Sequence, residues 1–111
     1  MQPIKRGEVW WVFFGPSRGG EIQKTRPAVV MSNNAANLAL NRVVVVPFTS
    51  NTARVYPGEA VVSVGENSAK AMADQIMTTD KQRLRNRIGA LSPSDLRAVE
   101  NAILLHLGIR R

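Results

Sequence analysis

Short apolar runs alternate with glycine-, asparagine- and serine-rich breaks along this chain. Their length and composition predict mainly strands ahead of the C-terminal segment. GEVWWVFFG (residues 7–15) is aromatic and β-branched between two glycines and reads as a strand through the core. A long polar loop, PSRGGEIQKT, separates it from RPAVVMS (residues 26–32), a second strand in which Pro27 fits only at the first position or on an edge. NNAANLALN predicts a turn or two of helix. RVVVVPFTS (residues 42–50) is the clearest strand; its unbroken valines predict burial on both faces, and it should stop at Pro47, leaving Phe48, Thr49 and Ser50 at its exit. After the loop NTARVYPG, EAVVSVG (59–65) and AMADQIMTT (71–79) each read as one strand. DKQRLRN reads as a helical turn and RIGALS as a last short strand.

The C-terminal pattern changes period. Ser92 is placed to cap a helix that has Pro93 at its first position, Asp95 in its first turn and Gly108 as its stop. Leu96, Val99 and Ile103 give one apolar stripe, which Leu104, Leu105 and Leu107 widen until little of the last turn is polar. Such an end is covered either by seating the helix deep in its own chain or by pairing two copies as a homodimer. The whole pattern predicts one domain over residues 1–111, mainly β with helices: five or six short strands in a small, strongly curved sheet or open barrel with a C-terminal helix.

Composition adds a partner class. The apolar and charged fractions, 44% and 21%, are those of a folded globular protein, but the net charge is +7. An excess of that size favours an anionic partner, with nucleic acid the first candidate. Without cysteine there are no disulfides and no thiolate metal sites. The opening MQPIKRGEVWW has no apolar run long enough for a signal peptide, and no stretch would span a bilayer; the expectation is a cytoplasmic protein that makes no use of a membrane.

The missing residue types narrow the chemistry further. His106 is the only histidine and lies among leucines, so no two-histidine acid–base pair exists within one chain. The eight carboxylates have no clustered spacing of the kind a two-metal site needs, and there is neither a phosphate-cradling loop nor a nucleophile elbow. RNA is a substrate that suits these limits, because its 2′-hydroxyl is an internal nucleophile held beside the scissile phosphate. A positioned guanidinium offers donors in a planar fork that matches phosphate oxygens, and a nearby hydroxyl adds one more. Arg26 at one strand entrance, with Thr49 and Ser50 at another strand exit, are expected at one rim of the sheet. The alternative for Arg26 is a salt bridge to Glu21. RGGE (residues 18–21) would let backbone amides approach a ligand, with Glu21 accepting from base amino groups, or would be an exposed turn. Asp74 and Gln75 are placed to read base edges or to cap a strand end. KQRLRNR (81–87) is dense positive charge, and Trp10, Trp11, Phe13 and Phe14 are rings able to stack on bases. Charge runs are more often solvated faces and aromatic runs more often core, so no more than two of the four rings are expected at the surface.

Taken together, RGEVWWVFFGPSRGGEIQKTRPAVVMSN, VVVVPFTS and ADQIMTTDKQRL resemble the MazF/PemK family of toxin endoribonucleases, in order, with natural spacing and over nearly the whole chain. The resemblance implies a small SH3-like barrel of the MazF/CcdB type that forms a homodimer. It implies cleavage of single-stranded RNA at short preferred sequences, without metal or other cofactor, to leave 2′,3′-cyclic phosphate and 5′-hydroxyl ends. It also implies an antitoxin, encoded alongside, that binds across the dimer groove. By position, Arg26 matches the family's catalytic arginine and Thr49 its catalytic threonine. Glu21, Ser50 and Gln75 match positions near the RNA, and Gly20 sits in the loop flanking the groove. Two departures bear on the preferred sequence: Met77 stands where many relatives have arginine, and Phe48 replaces a commoner small or branched residue. Neither is expected to touch the Arg26–Thr49 pair. The rival readings are a gyrase-inhibiting toxin of similar architecture and a non-catalytic nucleic-acid-binding module; neither has a use for that pair.

Overall fold

The computed structural model describes residues 3–15 and 24–110. Within them the chain runs β1 (Glu8–Phe13), β2 (Thr25–Val30), α1 (Asn34–Ala39), β3 (Arg42–Thr49), β4 (Glu59–Val64), β5 (Asn67–Met72), β6 (Met77–Asp80), β7 (Leu84–Ala90) and α2 (Pro93–Leu107). Short 3₁₀ turns occupy Ala73–Gln75 and Lys81–Arg83. The strands form a seven-stranded sheet in the order β4-β5-β3-β2-β1-β7, with β6 paired to β3 off that path. The pairings are all antiparallel. A curved, mainly β fold closed by a C-terminal helix is what the pattern predicts.

The curvature comes from β3, which changes partners along its length. Its first half pairs with β6, from Arg42 opposite Asp80 to Val45 opposite Met77, while Phe48 and Thr49 pair with Ala71 and Lys70 of β5. The 3₁₀ turn at Ala73–Gln75 lies between those two partners. The Ala73 N–H is donated to the Gly58 carbonyl at 3.0 Å and that of Ile76 closes back on Ala73 at 3.1 Å, so residues 71–79 are two strands with a break and not one. A further expectation is corrected. β3 does not stop at Pro47 but continues to Thr49. NSAKAM, poor in β-branched residues, is the strand β5, held by six pairs to β4 besides its pairs to β3. The predicted turn in DKQRLRN is confined to Lys81–Arg83, because Leu84 is buried and starts β7.

Alternation along β2 and β3 buries both faces of the sheet. Val29, Val46 and Phe48 join Val9, Val62 and Ala71 on one face, and α2 covers them with Val99 and Ala102. Ala28, Val30, Val43 and Val45 join Val12, Ile4 and Leu84 on the other, flanked by Trp10 and Phe14. The helix is punctuated as predicted. The Ser92 hydroxyl accepts from the Asp95 N–H, Pro93 opens the first turn, and Gly108 ends the helix at φ 71°. Gly7, at φ 90°, donates to Val30 and accepts from Leu91; a side chain there would be strained by the backbone and would press on Leu96, 3.3 Å from where its Cβ would stand.

The apolar end of α2 is not seated in the chain: Leu105, Leu107 and Ile109 are more than half exposed. That removes the deep-seated alternative for this helix.

Candidate active site

Two prolines open the site. β2 and β3 pair at Val30 with Val45, Val29 with Val46 and Ala28 with Pro47, and there the ladder ends. Continued for two more residues, the same register would set Arg26 opposite Thr49. It is not continued: Pro27 and Pro47 have no N–H to donate, and Phe48 and Thr49 turn to β5 instead. Pro27 is thus the third residue of β2, and at that point β2 is an edge toward β3, which is how a proline is tolerated inside the strand.

A cleft of about 350 Å³ fills the parting. Arg26, Thr49 and Ser50 all line it, with Trp11 and Ile88 on the β1–β7 side and Asn67 and Ser68 on the β5 side. The two residues taken from separate strands as a candidate pair are therefore brought to one cleft. Phe48 lines the same cleft. Met77 is not among the cleft's lining residues, and neither is Gln75, which ends the 3₁₀ turn before β6. Gly20 and Glu21, and with Glu21 the alternative salt bridge, lie outside the described residues.

The hydrogen-bonding state of the pair is informative. Nε of Arg26 is buried and has no hydrogen-bond partner among the described residues, and none of their ion pairs involves this side chain. A buried donor without an acceptor costs about 1–3 kcal/mol. The Thr49 hydroxyl oxygen accepts a long bond, 3.4 Å, from the Asn51 N–H, which leaves its own proton to donate. Both groups therefore retain an unused donor.

Behind Thr49 a buried lysine fixes the loop of residues 51–58. Lys70, paired across the ladder with Thr49, is only 7% exposed. Its ammonium donates to the Arg54 carbonyl at 2.7 Å and lies 3.2 Å from a Glu59 carboxylate oxygen. Arg54 and Lys70 both face the Tyr56 ring, at 6.0 and 5.9 Å from its centre. Sequence reasoning missed Lys70; a lone lysine in NSAKAM carries no signal of burial. Among the described residues no group of three or more histidine or carboxylate side chains could hold a metal ion. No helix in the described residues is long and apolar enough to cross a membrane.

An arginine and a threonine lining one cleft at the parted ends of two strands, in a curved sheet closed by a terminal helix, define a small mainly β protein with a cleft suited to an anion. Comparison with known proteins makes the assignment specific. Residues 5–107 match the family described as PemK-like, MazF-like toxins of type II toxin–antitoxin systems, and the chain belongs to that family. It is 39% identical to the endoribonuclease MazF9 of Mycobacterium tuberculosis over 96% of this chain and 98% of that one. Its fold superposes on MazF from Deinococcus radiodurans with a TM-score of 0.86 at 25% identity, covering 98% of this chain and all of the other. It also superposes on a mycobacterial endoribonuclease in complex with its cognate antitoxin, with a TM-score of 0.83 at 25% identity over 97% and 98% of the two chains.

Proposed function

We propose that this protein is a metal-independent, sequence-selective endoribonuclease toxin that cuts single-stranded RNA in the cleft between β2 and β3. The observation that carries the reading is that Arg26, whose buried Nε has no partner among the described residues, and Thr49 line one cleft. The RNA 2′-oxygen attacks the adjacent phosphorus, the bond from phosphorus to the 5′-oxygen breaks, and the products end in a 2′,3′-cyclic phosphate and a 5′-hydroxyl. The 2′-hydroxyl gives up its proton and the departing 5′-oxygen takes one. Arg26 stabilises the charge that builds on the phosphate and donates toward the departing oxygen, since a guanidinium seldom releases a proton at neutral pH. Thr49 and Ser50 hydrogen-bond the same phosphate. Glu21, Gly20 and Gln75 act on the RNA away from this centre; Gln75 is outside the cleft, which suits base reading rather than phosphate contact.

The assembly is a homodimer in the cytoplasm, each chain one folding unit, and a cognate antitoxin covers its groove. Support comes from the exposed apolar end of α2 and from the relative whose structure contains its antitoxin.

Incubating the purified protein with a long RNA in EDTA and mapping the 5′ ends tests the reading. Discrete fragments with 5′-hydroxyl ends are expected. Arg26→Ala should slow their formation by about 100-fold or more, the worth of one transition-state donor. Arg26→Lys should not restore the rate, because an ammonium lacks the planar fork. Intact RNA with the wild-type protein overturns the proposal and leaves the gyrase-inhibitor and binding-module readings.

A further inference from the structure

Two members of the arginine-rich run, both exposed, are held against a ring. The guanidinium carbons of Arg83 and Arg85 lie 5.7 and 5.6 Å from the centre of the Phe13 ring, which is 37% exposed. Arg83 donates to the Phe13 carbonyl at 3.3 Å and Arg85 to the Gln82 carbonyl at 3.2 Å. The third arginine of the run differs: Arg87 is neutralised by Glu8 at 2.9 Å. Among the described residues neither Arg83 nor Arg85 meets a carboxylate. Two cations held against one ring repel each other, and an anion between them would relieve that repulsion.

Their position relative to the cleft indicates which anion. Phe13 is two residues beyond Trp11 on β1, so the two rings share a face and stand about 7 Å apart along the strand. Trp11 is 40% exposed and lines the cleft that holds Arg26. Past Trp11 along β1 thus come a phenyl ring and a pair of guanidiniums, with Arg26 set opposite Val12 on the neighbouring strand. Two exposed rings in succession, bordered by cations, suit the stacked bases and charged backbone of a single strand. An acidic peptide would use the cations but would have no use for the rings.

We propose that Phe13, Arg83 and Arg85 form a phosphate-binding site for the RNA strand outside the scissile nucleotide, holding its backbone where it leaves the cleft past Trp11. The proposal rests on the endoribonuclease reading for the identity of the strand. Phe13 fixes the two guanidinium planes, and their remaining N–H groups take the phosphate oxygens. Base identity is not read there, so the site acts on affinity and substrate length and not on the preferred cut sequence.

Binding without cleavage tests this separately from the enzymatic reading. Fully 2′-O-methylated oligoribonucleotides of about 4 and about 12 nucleotides cannot be cut, and their affinities are read by fluorescence anisotropy across a salt series. The longer strand should bind the wild-type protein more tightly than the shorter one. R83Q/R85Q should bind the longer strand roughly tenfold more weakly, and its salt slope should fall by about 1.4, or about 0.7 for each phosphate no longer neutralised. If the double variant does not fold, Arg85→Gln alone should lower the slope by about 0.7. Unchanged affinity and slope overturn the proposal. So does a loss of affinity for polyglutamate with none for RNA, which would make the patch a seat for an acidic protein. A wild-type protein that cuts no RNA leaves these outcomes readable.

Discussion

At the entrance of β2, Arg26 turns one N–H inward and finds no acceptor among the described residues. On the proposed reading, the free protein thereby keeps a hydrogen bond in reserve for the RNA, and its strength is available where phosphate charge grows. Lys70 serves the same centre at one remove. Its charge is buried with Glu59 and with the Arg54 carbonyl, and that contact holds the loop that follows Thr49 and Ser50. Lys70→Met should strand the Glu59 carboxylate and destabilise the fold by about 3 kcal/mol. Denaturant unfolding measures it, and stability equal to wild type would remove Lys70 as the loop's clamp. Arg26 and Thr49 were legible in the sequence because a charge before a proline and a hydroxyl after one mark strand ends. Lys70 was not legible, because its burial depends on a loop folding back from residues 51–58. Nor was the stacking of Arg83 and Arg85 on Phe13, since about 70 residues of sequence separate the ring from the arginines.

Among the elements, β3 does most to place the site. Its partner changes from β6 to β5, and it parts from β2 where Pro47 and Pro27 interrupt the donors. Replacing both with a strand former, P27V/P47V, should let the β2–β3 ladder extend toward Arg26 and Thr49 and narrow the cleft. The expected result is a thermal midpoint at or above that of wild type with cleavage reduced by roughly tenfold or more, since small displacements of reacting groups are costly. Retained cleavage would show that the prolines do not set the opening. The long valine run, the caps of α2 and the glycine-bounded β1 could be read directly, because each carries its signal within a few residues. The break at Ala73–Gln75 and the strand character of NSAKAM could not. The first is fixed by a backbone bond to Gly58, the second by ladders on both edges, and both are tertiary facts.

For the molecule as a whole, the exposed leucines at the end of α2 sit on a chain of net charge +7. Two like-charged copies associate only where apolar contact outweighs the repulsion, so the dimer expected here should weaken at low salt and with polar replacements on the helix. Leu105→Glu with Leu107→Glu should convert a dimer to a monomer in sedimentation experiments. An unchanged mass would place the contact elsewhere.

The active-site opening is a missing stretch of main-chain pairing, not a hollow shaped by large side chains. Its existence is therefore insulated from most exchanges in its walls: Ile88, Asn67 or Ser68 can change identity and the floor between β2 and β3 stays open. If the proposed chemistry holds, a scaffold of this kind can drift in which RNA letters it prefers while the cut itself stays the same.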